Sequence, residues 1–387
     1  MKKTYLLISI LFLASCVAEK GTYNTLNAVI NGNHIKYELS ETIKNNYDYN
    51  QEDVIDKITP VFLETTSESL VHEIKDIMIT DDRIIISDNY EGGGVIIFDK
   101  NGKLIKRLKR GNGPGEINRV LSVVFDRFTN QIIVLQSMQL LFFTPNGDYI
   151  DSRMMEFPVG NIICAMKDRY IFSKSFGHEY NGGINYKNNS TIVTDKKLNI
   201  KCAMIPYPNE FIFSTIGYYN GKFLNFAMQG SDTIYTYQND SLIVKYILDY
   251  SKVKTDISKV KTMEEYMAIL AGKNSPGLYF FSDVHETSTH CYFTLNYASR
   301  PYSIYVNKKN NHIIAGLSIK NNPENMIPVL NPATTYKDTF VSIYSPSSNI
   351  KCEIKTNKYL SDEDIKKLKN LDKEDNPVIF MYTLKDF

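Results

Sequence analysis

The stretch VIIFDKNGKLI at residues 95–105 returns as LLFFTPNGDYI at 140–150. In each copy an apolar run ends in Phe and two residues follow. Then come Asn-Gly, one charged residue, one variable residue and Ile. Asn-Gly between apolar runs is among the strongest short hairpin signals, because both residues tolerate positive φ. The runs on either side complete the unit. In the first copy, 72–80 alternates apolar and polar, 83–88 reads RIIISD, 95–98 reads VIIF, and 104–108 follows the turn. In the second, 119–126, QIIVLQ at 131–136, 140–144 and 149–157 repeat the plan. Four short strands per unit and an offset of 45 residues match a propeller blade, whose repeat is ~40–50 residues. A blade buries its faces only against neighbouring blades, so the chain must close into a ring.

Later units are looser. Residues 162–205, 214–250, 278–320 and 326–387 each hold enough β-like runs for one blade, which gives six. The hydrophilic stretch from Asn31 onward reads as no blade. Residues 255–271 place Val260, Met263, Met267 and Leu270 at helical steps, with Gly272 as a stop. Residues 361–371, SDEDIKKLKNL, open with Ser and acids and continue with lysines, the polarity a helix dipole favours. Both read as helical insertions on a blade. The expected fold is therefore all-β, a single six-bladed propeller of four-stranded antiparallel blades.

Composition agrees. Of 387 residues 43% are hydrophobic and 22% charged, ordinary globular values that exclude a disordered, collagenous or polytopic membrane chain. Tyr (27) and Phe (20) are abundant and Trp is absent, which leans towards β structure. The formal net charge of +1 leaves no electrostatic footprint for nucleic acid, so none is expected as a partner.

The first sixteen residues are MKKTYLLISILFLASC. Two lysines precede an apolar run far shorter than the ~20 residues that span a bilayer, so this is a signal peptide. Leu13-Ala14-Ser15-Cys16 resembles the bacterial lipobox, which implies cleavage before Cys16, diacylation of its thiol and membrane attachment through the acyl chains. The expected division is a signal over 1–15, a lipidated tether and N-terminal segment over 16–53, and the propeller over 54–387. Cys164, Cys202, Cys291 and Cys352 remain. Their wide, irregular spacing favours buried thiols, with three disulfide connectivities formally open.

The run SLVHEIKDIMITDDRIIISDNYEGGGVIIFDKNGKLIKRLKRGNGPGEI (69–117) resembles the opening of bacterial six-bladed β-propeller lipoproteins, TolB-like or NHL-repeat-like, which are mostly of unknown activity. The resemblance rests on Ser87-Asp88, Phe98-Asp99, Asn101-Gly102 and the loop from Gly111 to Glu116. VIDKITPVFLET (54–65), GSDTIYTYQNDSLIVKYILDYSK (230–252) and EDNPVIFMYTLK (374–385) extend it over most of the chain. Here Ile117 and Asn118 follow the GPGE where relatives often place an aromatic. The resemblance implies an envelope protein, at the outer membrane of a Gram-negative bacterium, and ring closure by pairing residues 58–63 with 378–384.

Candidate sites follow from loops. RGNGPGE (110–116) joins two blades, and its glycines and Pro114 demand unusual backbone angles or close approach. Arg110, Asn112 and Glu116 are candidates for ligand or partner contact. The alternative is a structural turn in which Glu116 satisfies backbone N–H groups. The loop lacks the GK[ST] ending of a Walker A. Asp88 and Asp99 end adjacent strands and are candidates for a cation site with carbonyls or, alternatively, for turn capping. HETSTH (285–290) has i,i+5 rather than i,i+4 histidines and is no zinc motif. GxSxG is absent. Tyr218, Tyr219, Tyr235, Tyr237, Tyr292, Tyr297, Tyr302 and Tyr305 suit either sugar stacking or blade packing. No catalytic residue, metal ligand or cofactor is expected. The expected function is a non-catalytic binding or scaffold module for an envelope protein, peptide or glycan. The alternative is a carbohydrate- or peptide-active lyase or hydrolase with its site at the central channel.

Overall fold

The computed structural model describes residues 24–26, 28, 34–45, 48–89, 94–174, 189–206, 215–228, 231–254, 260–270, 278–297, 300–316, 318–320, 331–347 and 359–387. They form the expected six-bladed propeller of four-stranded antiparallel blades. From inner to outer strand, blade 1 is Ile74–Ile79, Arg83–Asp88, Gly94–Asp99 and Leu104–Arg107. Blade 2 is Val120–Asp126, Gln131–Gln136, Gln139–Phe143 and Tyr149–Met154. Blade 3 runs from Asn161–Ala165 to Ile200–Pro206, blade 4 from Thr215–Tyr219 to Ser241–Asp249, and blade 5 from Leu278–Glu286 to Ile313–Gly316. Blade 6 takes Thr334–Tyr336, Thr339–Tyr344 and Val378–Leu384 from the C-terminal part and its outer strand, Ile55–Phe62, from the N-terminal part. Ile58 lies opposite Tyr382 and Phe62 opposite Val378, so the ring is closed by antiparallel pairing of distant segments.

The continuous apolar runs, rather than alternating ones, have a direct cause. Six apolar clusters fill the six seams between blades. In blade 1, Ile84, Ile86, Ile96 and Phe98 face blade 6, whereas Ile85, Val95 and Ile97 face blade 2. Both faces of a middle strand are thus buried, and its central positions are apolar on both sides.

The two Asn-Gly hairpins do more than reverse the chain. Gly102 has φ +87° and Gly147 φ +82°. A Cβ at Gly102 would lie 2.1 Å from the Phe62 carbonyl oxygen, and Glu64 N–H donates to Gly102 O at 2.8 Å. A Cβ at Gly147 would meet the side-chain ends of Ile97 and Leu108 at 2.9 Å. Each hairpin tucks against the outer strand of the preceding blade, which is why the motif recurs with the blade period.

Within the N-terminal segment 16–53, the described residues pack against the ring, and the short tether expected just after Cys16 lies outside them. Asn24–Leu26 runs parallel to the outer strand of blade 3, and Ile35–Glu38 parallel to that of blade 4. Asp48–Asn50 runs parallel to Ser318–Lys320 beyond blade 5. Tyr37, Leu39 and Ile43 are buried in the blade 4–blade 5 seam, with the Tyr37 ring 5.7 Å from Tyr246 and 5.9 Å from Phe293. The described part of this segment is an arm packed around the rim. Cys16 and the leader lie outside the described residues, as does Cys352.

The insertion expected over 361–371 is the helix Asp362–Lys369. Ser361 caps it by accepting from Asp364 N–H at 3.1 Å, and Ile365 and Leu368 pack on blade 6. In the insertion expected over 255–271, the described helix is Met263–Leu270.

Candidate functional site

The loop at 110–116 crosses the seam between blades 1 and 2 as a closed unit. Gly111 N–H donates to Ile117 O at 3.0 Å and Ile117 N–H to Lys109 O at 2.9 Å. Glu116 turns back into the loop: its carboxylate accepts from Gly113 N–H at 2.9 Å and pairs with Lys109. The Lys109 ammonium, helped by that N–H, holds the Glu116 carboxyl below its ordinary range. Gly115, at φ +73°, lies so close to Tyr149 that a Cβ would stand 2.6 Å from the tyrosine's Cβ. Glu116 therefore shapes the loop, while Arg110 and Asn112 stay exposed.

From Asn112 a run of carboxamides extends onto blade 2. Asn118 Nδ2 donates to Asn112 Oδ1 at 2.8 Å, and Asn118 N–H donates to Gln136 Oε1 at 2.8 Å. Gln136 Nε2 reaches Gln139 Oε1 at 3.4 Å. Carboxamides present both donors and acceptors, and here they sit on strand ends and on a loop fixed by its own hydrogen bonds. The sequence reading named Asn112 but missed Asn118, Gln136 and Gln139. Their signal, an amide at each strand end facing the loop, is visible only once the blade-to-blade connection is drawn.

Asp88 lies beside this seam. Its buried carboxylate accepts from the N–H groups of Glu73 (3.1 Å) and His72 (3.4 Å), and the His72 ring stands 3.3 Å away. Arg107 donates to Glu68 O at 2.8 Å and also reaches Leu70 O. Burial pulls its guanidinium below the ordinary value, and nearby Asp88 works against that. Asp99 is elsewhere. In the antiparallel pair Asp88 faces Gly94, while Asp99 faces Arg83 at the far end. Five residues of strand separate the two ends, about 16 Å at the usual rise. Asp99 accepts from Asn101 N–H (2.8 Å) and Lys103 N–H (2.9 Å), closing its own turn. The shared cation site considered for Asp88 and Asp99 is thus not formed, because successive antiparallel strands end on opposite sides of a blade. Among the described residues no cluster of three or more His, Cys, Asp or Glu could hold a metal ion.

A cavity of about 50 Å³ is lined by residues that include Ile79, Phe125, Arg127, Cys164, Asn220 and Thr335. The Tyr218 hydroxyl bonds Thr335 Oγ1, and Asn220 Nδ2 donates to Thr335 Oγ1 and to Glu286 O, each at 2.8 Å. These contacts tie blade 4 to blade 6 and to the inner strand of blade 5.

Beside them sits a cluster that no motif announced. The Glu286 side chain is 1% exposed and accepts from Lys245 (2.5 Å), Lys308 (2.8 Å), the Tyr246 hydroxyl (2.8 Å) and Asn225 Nδ2 (3.1 Å). Burial by itself would raise the carboxyl, but the two ammonium groups bring it below its ordinary value. Neighbouring His285 is buried edge-on to Tyr218 at 4.5 Å, and burial pushes its imidazole down to about 3. His290 packs instead on Phe387 at 5.2 Å, so the HETSTH histidines diverge. Tyr237, Tyr292, Tyr302 and Tyr305 are buried in blade packing. Cys164, Cys202 and Cys291 are buried unpaired thiols. Burial raises all three, Cys202 to about 11 and Cys291 to about 12.

Residues 34–383 match the family model described as a domain of unknown function, DUF4934. The chain belongs to the DUF4934 family. The match begins inside the arm rather than at the first blade, which fits the arm's packing. Among solved structures, the "Putative exported protein" of Bacteroides fragilis NCTC 9343 superposes with a TM-score of 0.68 at 15% identity, covering 92% of this chain and all of that one. At that identity the likeness concerns the fold. A protein of unknown function from Bacteroides caccae reaches a TM-score of 0.38 at 8% identity over 64% of this chain and 80% of that one. No curated protein matches the DUF4934 chain.

Proposed function

We propose that this DUF4934 protein is a lipoprotein of the cell envelope, attached through Cys16, whose propeller is a non-catalytic binding or scaffold module for a protein, peptide or glycan. The ligand is met at the seam between blades 1 and 2. One observation carries this reading: the run Asn112–Asn118–Gln136–Gln139, with Arg110 exposed beside it, on a loop locked by Glu116 and Lys109. Amides and a guanidinium held on rigid backbone suit the hydroxyls of a sugar or the main chain of a peptide, and need no redistribution of charge.

The test is crosslinking capture of the tagged protein from intact membranes, read by mass spectrometry and by glycan binding. Arg110→Ala with Asn112→Ala leaves the Glu116 lock in place and should abolish capture without changing thermal stability. Capture unchanged by the double variant sinks the reading. Cys16→Ala should move the protein out of the membrane fraction, and retention there would refute the anchor.

A further inference from the structure

We propose that the outer edge of blade 2 is a homodimer interface, formed by antiparallel pairing of Tyr149–Met154 with the same strand of a second copy. Blades 3 and 4 are extended beyond their outer strands by parallel strands of the arm, and a third arm strand pairs with Ser318–Lys320 next to blade 5. Blade 2 ends at Tyr149–Met154 among the described residues. A strand left at a sheet edge offers a row of unpaired N–H and C=O groups and is a template for another strand. This edge is also apolar where it should be polar. Tyr149, Ile150 and Met154 are 41%, 45% and 69% exposed, three of the seven large hydrophobics left in solvent among the described residues.

The register names the occupant. Met155 N–H donates inward to Met138 O at 2.8 Å, which fixes the alternation of the strand. Residues 151 and 153 point their main-chain groups towards Gln139–Phe143, and residues 152 and 154 point theirs outward. An isologous antiparallel pair centred on Ser152 then joins Ser152 to Ser152 of the second copy by two main-chain hydrogen bonds. In that register Asp151 meets Arg153, twice by symmetry, and Ile150, the bulged residue opposite Phe142 and Phe143, brings its exposed side chain towards Met154. On the other side of the strand, Asp151 and Arg153 of one copy already lie 3.6 Å apart, with the guanidinium 4.7 Å above the Phe142 ring. Opposite charges and apolar side chains thus fall opposite one another, as a two-fold interface requires.

A pair of short edge strands buries less than a standard interface, so the dimer is weak in solution and is to be sought at about 100 μM rather than at nanomolar concentration. Sedimentation equilibrium of the full mature chain should show a monomer–dimer equilibrium. Asp151→Arg sets Arg against Arg153, and Arg153→Asp sets Asp against Asp151. Each variant alone should weaken dimerisation at least about tenfold. Mixing the two restores both complementary pairs and should restore a heterodimer, which a merely misfolded variant would not do. Ser152→Pro, which removes an outward N–H and no internal bond, should also give monomer. A wild-type chain that is monomeric at these concentrations overturns the proposal. So does a dimer that ignores all three substitutions, or one that mixing does not restore.

Discussion

Blades 1 and 2 and blades 4 and 5 are built to one plan, yet they are stabilised differently. In the first pair the middle strands are almost wholly apolar, the hairpins are tight Asn-Gly turns, and the outer strand of blade 2 faces solvent. In the second pair the outer strand of blade 4 is covered by the arm, and the inner strands carry Tyr218, His285 and Glu286, whose polar partners come from other strands. Apolar packing is forgiving of sequence, whereas a buried polar network is costly when half-satisfied. Blades 4 and 5 should therefore be the brittle side of the ring.

The largest expected effect tests this. Glu286→Ala leaves Lys245 and Lys308 without their shared counter-charge, at side-chain exposures of 22% and 19%. Breaking a buried pair from one side costs about 3–5 kcal/mol. Urea unfolding should show a loss near that size, and a loss under about 1 kcal/mol would mean that the network is incidental. Next, Tyr37→Ala removes an aromatic wedge held between Tyr246 and Phe293 and should cost about 3 kcal/mol. The matching change on the bare rim, Ile150→Ala, should stay within about 0.5 kcal/mol. Equal effects at the two rims would remove the distinction between them.

The same contrast explains what the sequence discloses. Blades 1 and 2 are legible because both faces of Gly94–Asp99 and Gln139–Phe143 are buried, so apolar runs and Asn-Gly turns coincide in register. The arm is illegible because strands of three or four residues bind through main-chain hydrogen bonds, which leave little pattern in side chains. The loop at 110–116 stands out through glycine and proline, but the role of Glu116 depends on Lys109 and Gly113 folding back onto it. Glu286 is hidden for another reason. Its partners come from positions 225, 245, 246 and 308, in two different blades, and only the packing of blade 4 on blade 5 brings them together.

On the apolar side, blade 1 carries a buried carboxyl with no hydrogen-bond partner on one oxygen. Asp76 lies on the inner strand with Oδ2 buried and unbonded, and burial pushes its carboxyl from 3.8 up to about 6, with Lys75 acting weakly against this. A raised carboxyl favours the fold while protonated. Its contribution is complete below pH 3.8 and is lost as the pH rises through about 6. Between pH 4 and pH 7.5 the wild type should therefore lose on the order of 2 kcal/mol relative to Asp76→Asn, in which nothing titrates at that position. Parallel unfolding curves at the two pH values check this, because carboxylates shifted downward, such as Asp195 and Asp249, cancel in the difference. A gap that does not change with pH would mean that Asp76 is solvated in the protein.

The smallest effect divides the two hairpins that define the repeat. Gly102→Ala and Gly147→Ala share the strain of a left-handed backbone, about 1 kcal/mol each. They differ in what a methyl group meets. At Gly102 it meets the Phe62 carbonyl on the closing strand of the ring, at 2.1 Å, and main chain cannot yield without moving that strand. At Gly147 it meets the ends of Ile97, Leu108 and Lys106 at 2.9–3.0 Å, and side-chain ends can rotate aside. Gly102→Ala should therefore cost about 1 kcal/mol more than Gly147→Ala, and should accelerate unfolding, because it presses on the strand that joins the two ends of the chain. Equal costs would show that the closing strand shifts freely, and that the seam between blades 6 and 1 is no tighter than the seam between blades 1 and 2.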